Sequence, residues 1–532
     1  MSSRSRRLVG KRSLTALFAT AVAGALLTTS PTAVAVSTSR PAPAGGTDKA
    51  QAVLQVAKSL FDGKPSQLPP GQDATMVLRD LAMARSSLTP AERLEADRLL
   101  ARPTDKLADP RGSGYQPGTT PKTHCTATAC FHWVETSSDA VSPADNNGIS
   151  DGDGVPDYVE AAEQTVTHVQ QTYLAAGYRQ VESDGTLGGN ALPDIYLANL
   201  GVDGLYGYCS SDDTVPQGGP YDVFAFCVYD NDYSPSEFPT NTPLENLQVT
   251  AAHEYFHAVQ FAYDYFEDSW LMEATATWAE DEVYTDVNDN LQYLSTGPLS
   301  RPALPLDTFN NEGYQYGAWI FFRYLTEHFT DAQGGLPTLV RNIWEQADGS
   351  SGGPDQYSMQ AVATVLKQRG SSLTKAFAGF ADANLRPAAT YSEGAANSYP
   401  SAPLGKFTKA SNGWYATKMN HMTSSSARVV PTAKSKNLKV TLNMPPKSSG
   451  SAAVVTVNFK DGTANTSMFS LSRKGDGSHS YPFGKSSVQS IEVTLVNAGA
   501  KYACWQQSGP FYSCQGHSKN DGQTSKLKMT WS

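Results

Sequence analysis

The stretch Thr242-Pro243-Leu244-Glu245-Asn246-Leu247-Gln248-Val249-Thr250-Ala251-Ala252-His253-Glu254-Tyr255-Phe256-His257-Ala258-Val259-Gln260-Phe261 reads as one helix. Thr242 and Glu245 have the spacing of a capping box, and Pro243 takes the first helical position, where its missing N–H is not needed. Good helix formers continue through Phe261, so His253 and His257 fall in mid-helix. Four residues apart, they share one face. Two neutral imidazoles aimed at one point are half of what a catalytic zinc site requires; the rest is a third ligand and an open position for water. Glu254, one residue on from His253, is placed to act as general base on such a water. Ala251 and Ala252 are small and allow close packing behind the metal.

A five-residue motif is suggestive only, and its weight depends on the residues C-terminal to it. Trp270-Leu271-Met272-Glu273-Ala274-Thr275-Ala276-Thr277-Trp278 reads as a second helix. Glu273 lies near its start, Ala274 and Ala276 permit close helix contact, and Glu280 lies two turns on along the same face. Together, His253-Glu254-x-x-His257 and Trp270-Leu271-x-Glu273-Ala274-x-Ala276 resemble the gluzincins, which include thermolysin-like peptidases, bacterial collagenases and zinc aminopeptidases. The chain is also similar to a group of secreted bacterial metallopeptidases that share Ala258-Val259-Gln260, the Trp270 to Trp278 helix and Tyr316-Gly317-Ala318-Trp319. This resemblance covers roughly residues 120 to 390 and extends to the β-rich C-terminal domain. It implies His253, His257 and Glu273 as zinc ligands and Glu254 as base.

The resemblance is incomplete at two points. The interval from His257 to Glu273 is somewhat shorter than in thermolysin-like enzymes. Thr277 stands where those enzymes carry an aspartate that supports a zinc-bound histidine. Glu280 or Asp281 is the candidate for that supporting role, against a solvated acidic helix end in Glu280-Asp281-Glu282. A donor to the oxyanion is also needed. Tyr314, Tyr316 and His328 are the candidates, with core packing the alternative for each tyrosine. Strand 223–228 is either the edge along which a substrate backbone binds or an ordinary core strand.

Asp151-Gly152-Asp153-Gly154-Val155-Pro156-Asp157-x-x-Glu160 has the spacing of a calcium loop. Asp151, Asp153 and Asp157 take alternate ligand positions, Gly154 the sharp turn, and Glu160 the place of a bidentate carboxylate. The loop resembles thrombospondin type 3 and EF-hand-like loops, but Ile149 stands where the first Asp belongs. An acidic capped turn is the alternative.

The N-terminus carries Arg4, Arg6, Arg7, Lys11 and Arg12, then an apolar run from Leu14 to Leu27 and the small-residue site Ala33-Val34-Ala35. This is the pattern of a cleaved export signal rather than a membrane anchor, and it leaves Sec and Tat export both open. Six cysteines in an exported chain read as disulfides, here in sequence-local pairs: 125–130, 209–227 and 504–514. Residues 48–103 are helical in pattern, with a second capping box at Thr89-Pro90-Ala91-Glu92. They form either an inhibitory propeptide or an appendage that stays attached. After Pro387 the pattern changes to period 2 with turn signals between segments, as in a β-sandwich. The net charge of −10 argues against nucleic acid as the main partner.

The expected architecture is therefore α+β. It comprises a signal peptide (1–35), a helical propeptide-like region (36–110), a zincin-like catalytic domain with a calcium loop (111–390, loop 151–160) and a β-sandwich (400–532). The expected activity is that of a secreted zinc-dependent endopeptidase acting on protein or peptide substrates, without stable membrane insertion. The alternative is a catalytically weak or inactive, calcium-stabilised binding or adhesion protein on the same fold.

Overall fold

The alternation of helical and period-2 segments sets the order of elements in the computed structural model, which describes residues 47–61, 74–108, 114–141, 154–213, 219–310, 312–407, 413–501 and 519–531. The export signal, Asp151, Asp153, Cys504 and Cys514 lie outside the described residues. Three N-terminal helices, Thr47–Leu60 (α1), Thr75–Ala84 (α2) and Pro90–Leu100 (α3), precede a five-stranded sheet. Its strands are Lys122–Cys125 (β1), Cys130–Trp133 (β2), Asp194–Ala198 (β3), Gly207–Ser210 (β4) and Phe226–Asp230 (β5), in the order β1-β2-β3-β5-β4. The three inner strands are parallel, and both edges, β1 and β4, run antiparallel to their neighbours. Helix Asp157–Ala175 (α4) crosses between β2 and β3.

Successive strand residues point to opposite faces. Phe131, Trp133, Ile195, Leu197 and Tyr229 join the core that contains α4 and the histidine helix, Pro243–Phe261 (α5). Tyr196, Ala198, Tyr208, Phe226 and Val228 pack instead with Leu54, Leu78 and Leu81 of the N-terminal helices. The N-terminal region is thus a full layer on the sheet. Arg102, just past α3, is buried in ion pairs with Asp184, Asp194 and Asp212, and the second oxygen of Asp194 lies 2.7 Å from His132 Nε2.

Helices continue with Ser269–Val283 (α6), Tyr314–Gly317 (α7), Trp319–His328 (α8), a short hairpin of Ala332–Gln333 (β6) and Leu336–Pro337 (β7), then Thr338–Ala347 (α9), Met359–Gln368 (α10) and Leu373–Ala383 (α11). Both capping boxes form as expected: Thr89 with Glu92 and Thr242 with Glu245. The helical stretch from Tyr314 to His328 is divided at Gly317-Ala318. There the backbone of Gly317 lies so close to Gly297 that a Cβ on either would meet the other's backbone at about 2.6 Å. Four tryptophans, Trp270, Trp278, Trp319 and Trp344, are fully buried among these helices.

The C-terminal part is the expected two-sheet structure. One sheet has the order β13-β12-β15-β10-β8: Ala464–Met468, Ser451–Phe459, Val488–Asn497, Thr423–Val429 and Leu404–Phe407. The other has the order β14-β11-β16-β9: Asp476–Pro482, Asn437–Asn443, Gln523–Trp531 and Tyr415–Met419. Leu438, Val440, Leu442, Val455, Val493, Leu495, Leu527 and Met529 fill the space between them. The first sheet docks on α11, where Arg386 is ion-paired with both Asp382 and Glu492. The disulfides Cys125–Cys130 and Cys209–Cys227 are formed as expected. No helix among the described residues is long and apolar enough to cross a membrane.

A second tie between the two parts is His421 in the β9–β10 turn. Its Nε2 lies 2.9 Å from Asp307 and its Nδ1 2.6 Å from Asp521. Burial opposes the imidazolium, but the two carboxylates outweigh it and push the His421 pKa up to about 10. Because the folded value is raised above the ordinary 6.5, this contribution is complete below pH of about 6.5 and is lost as pH rises through about 10. His421→Ala should therefore cost about 3–5 kcal/mol at pH 6. Thermal unfolding of the two proteins across pH should show that gap narrowing toward pH 10; a gap independent of pH would contradict the charged pairing.

Candidate metal centre

The capping box fixes where α5 begins, and α5 packs against α6, on which Ala274 is buried. That packing brings three side chains to one point. His253 Nε2 is 3.1 Å from His257 Nε2 and 3.3 Å from Glu273 Oε2, and His257 Nε2 is 3.7 Å from Glu273 Oε2. All three residues are buried. A tetrahedral site with bonds near 2.0 Å requires ligand–ligand edges of about 3.3 Å, which the triangle fits.

The hydrogen-bond partners fix the chemistry of the ring nitrogens. His253 Nδ1 donates to Glu280 Oε1 at 2.5 Å, and His257 Nδ1 donates to the Gln260 carbonyl oxygen at 2.7 Å. Each imidazole therefore presents the lone pair of Nε2 inward. Gln260 is itself held by bonds from its amide to Met272 O and Thr275 Oγ1 on α6. Glu273 Oε2 is buried without a hydrogen-bond donor. Three acceptors facing one another at these distances repel unless a cation lies among them, so the donor set fits a divalent metal.

Of Glu280 and Asp281, it is Glu280 that meets a histidine of the triangle. Burial pushes its carboxyl up to about 7, against the opposing bond and charge of His253. Asp281 turns away to Arg323, 2.9 Å from it. The acidic run is thus not a solvated helix end. Gln260 went unrecognised in the sequence, where only its position three after His257 pointed to it.

Glu254 is buried next to the triangle. Its Oε2 accepts a hydrogen bond from the Thr75 hydroxyl at 3.0 Å, and the same hydroxyl accepts from the Cys209 N–H at 2.8 Å. Thr75 opens α2, so the N-terminal layer reaches round the sheet edge to the candidate base. That edge is β4, not strand 223–228. β5 lies inside the sheet between β3 and β4, which corrects the expectation of a substrate edge there. β4 was missed because Gly207-Tyr208-Cys209-Ser210 is short and has little apolar alternation. Gly207 is needed there: a Cβ would lie 2.7 Å from Thr250 and 3.1 Å from Glu254.

A cavity of about 30 Å³ adjoins His253 and Glu254, lined also by Tyr206, Glu280, Asp289 and Tyr293. It holds roughly one or two waters and no polypeptide. Of the tyrosines expected as donors, Tyr316 is near the centre, its ring 6.1 Å from that of His253 and stacked on Tyr293. Tyr314 is buried and its hydroxyl donates to Leu304 O. Tyr206 and Tyr293, both on the cavity wall, had no motif to mark them. His328 donates from Nδ1 to Tyr324 O within its own helix. Of the calcium-loop residues, Asp157 and Glu160 stand in the first turn of α4, and Gly154 has the left-handed φ of +92° that its turn position calls for.

No protein-family model matches the chain, and no curated protein matches its sequence. Solved structures similar to part of it include two from bacteria. One is the pre-peptidase C-terminal domain of a collagenase from Bacillus anthracis, 9% identical, TM-score 0.16, covering 24% of this chain and 95% of that one. The other is CorA, a surface-associated copper-binding protein important in Methylomicrobium album BG8 copper acquisition, 10% identical, TM-score 0.16, covering 24% of this chain and 98% of that one.

The Thr75 bridge has a direct consequence for the edge strand. Thr75→Val should speed hydrogen exchange of the Cys209 amide roughly fivefold, the worth of one hydrogen bond of about 1 kcal/mol. Exchange at Cys209 unchanged by the substitution would show that the amide is protected by something else.

Proposed function

We propose that the protein is a secreted zinc-dependent endopeptidase of zincin-like fold, with His253, His257 and Glu273 holding the metal and Glu254 as general base. The observation that carries this reading is the convergence of two Nε2 lone pairs and the donor-less Glu273 Oε2 beside a second buried carboxylate. Zinc in that set supplies a Lewis acid and makes a bound water nucleophilic near neutral pH. The chain's own residues do the rest. The Glu254 carboxylate takes the proton of the attacking water, whose oxygen bonds to the scissile carbonyl carbon. As the C–N bond breaks, Glu254 delivers that proton to the leaving nitrogen. Glu280 and Gln260 hold the imidazoles in the tautomer the metal needs. Tyr316 and the cavity tyrosines Tyr206 and Tyr293 are the candidate donors to the carbonyl oxygen.

The outward N–H of Cys209 on β4 is where an extended substrate would pair by strand addition. Thr75 occupies that N–H and Glu254 together, so the form described is closed, and the start of α2 must withdraw before a polypeptide can enter. The N-terminal layer therefore acts as an inhibitory segment. The same closure favours a second reading, a non-hydrolysing binding protein on this fold. Calcium at Asp151, Asp153, Asp157 and Glu160 belongs to both readings; it rests on their spacing and on the Gly154 turn. Its role is to tie down the start of α4.

Purified protein is expected to carry one zinc and to cleave denatured protein, faster in Thr75→Val. Glu254→Gln should keep the zinc and lose about a thousandfold in rate. Glu280→Gln should keep hydrolysis measurable but weaken zinc binding about tenfold or more in chelator competition. Zinc-loaded Thr75→Val that hydrolyses no member of a peptide library would favour the binding-protein reading over the enzyme.

A further inference from the structure

The net charge of −10 conceals two oppositely charged parts. Residues 401–532 contain sixteen Lys and Arg against four Asp and Glu, and residues 1–400 contain twenty-five against forty-seven. The sandwich is therefore strongly basic and is joined to a strongly acidic body.

Part of that positive charge is ordered on one surface. In the β14-β11-β16-β9 sheet, Leu438, Val440, Leu442, Leu527 and Met529 point inward. The alternate positions of β11 and β16, among them Lys439, Thr441, Lys526 and Lys528, point outward. On β9, Met419 is buried and Lys418 is on the outer face. The register sets Lys439 opposite Thr530, Lys528 opposite Thr441, Lys526 opposite Asn443 and Ala416, and Lys418 opposite Thr524. Lys439, Lys528, Lys526 and Lys418 thus form a diagonal row on the order of 20 Å long, given strand spacings of about 4.8 Å and two-residue steps of about 6.8 Å. Among the described residues none of the four forms an ion pair. The one carboxylate on this face is Asp476, at its corner, where it accepts from Asn443.

This sheet is the one turned away from the helices, since α11 covers the other. We infer that the lysine row is a docking surface for a linear polyanion, and that the polyanion is an anionic polysaccharide. A row of unpaired point charges suits repeated sulfate, phosphate or carboxylate groups. The hydroxyls and amides between the lysines (Thr441, Thr524, Thr530, Asn443) suit sugar hydroxyls. The row contains no arginine to fork onto base edges, which disfavours nucleic acid, and the exposed Trp414 just before β9 offers a flat apolar ring that suits a sugar face. The acidic body is repelled by the same polymer, so the molecule approaches sandwich first. The inference is independent of the metal centre.

The test uses the whole chain and its Glu254→Gln form, with fluorescein-labelled heparin and polygalacturonate as probes in anisotropy titrations at low salt. Lys439→Ser/Lys526→Ser/Lys528→Ser should weaken binding on the order of a hundredfold, roughly fivefold for each lysine removed. The control Lys447→Ser/Lys460→Ser/Lys485→Ser, on exposed lysines elsewhere in the sandwich, should bind like the parent. Both triples should unfold at the parent's temperature. Equal weakening by the two triples, no binding of the parent to either polysaccharide, or tighter binding to duplex DNA or to phosphatidylserine vesicles would each overturn the assignment.

Discussion

The structure depends on one electrostatic requirement: His253 Nε2, His257 Nε2 and Glu273 Oε2 are held within 3.7 Å of one another although all three are acceptors. Such a set is unfavourable by itself, and it is maintained by rigid parts on every side. The i, i+4 spacing on α5 aims the two imidazoles, and the close α5–α6 packing brings up the carboxylate. Glu280 and Gln260 then take up the outer ring nitrogens, so that neither imidazole can turn its N–H inward. Stability given up at this point is offset by the large core around it, including four buried tryptophans.

The sheet gives this centre its surroundings. The cores on its two faces differ in content: one holds α4 and α5 and with them His253 and His257, and the other is closed by the N-terminal helices. Because β4 is an edge strand, its outward groups are the natural place for an extended chain to add, and because α2 starts there, the same groups are taken by Thr75. Closure of the centre is thus a product of topology, and Thr75 links the N-terminal layer to both the strand and the base.

Much of this was legible in the sequence where periodicity and spacing are strong. The two capping boxes, the helices of the two-helix motif and the two described disulfides appear where they were expected, and the period-2 region after Pro387 forms two packed sheets. The elements that were missed have a common physical cause. β1, β4, β8 and β14 lie at sheet edges and have little apolar alternation, so their places come from pairing with neighbours rather than from their own pattern. The supporting residues were harder still. Gln260 and Thr75 carry no motif, and their roles come only from what the fold sets beside them. The position of Tyr314 at a helix start said nothing of its hydroxyl, which the fold turns to the Leu304 carbonyl. The lysine row was hidden by averaging charge over the whole chain, and only the strand register separates it from the rest of the basic sandwich.

The outcome is a chain whose acidic body carries the proposed metal centre and whose basic sandwich presents a charged face away from it. The most direct test of the centre is diffraction from crystals grown with zinc and recorded on both sides of the zinc absorption edge. A single anomalous peak within about 2.2 Å of His253 Nε2, His257 Nε2 and Glu273 Oε2 is the predicted result. Zinc bound elsewhere with these three side chains turned apart, or no peak from zinc-treated protein, would contradict the account.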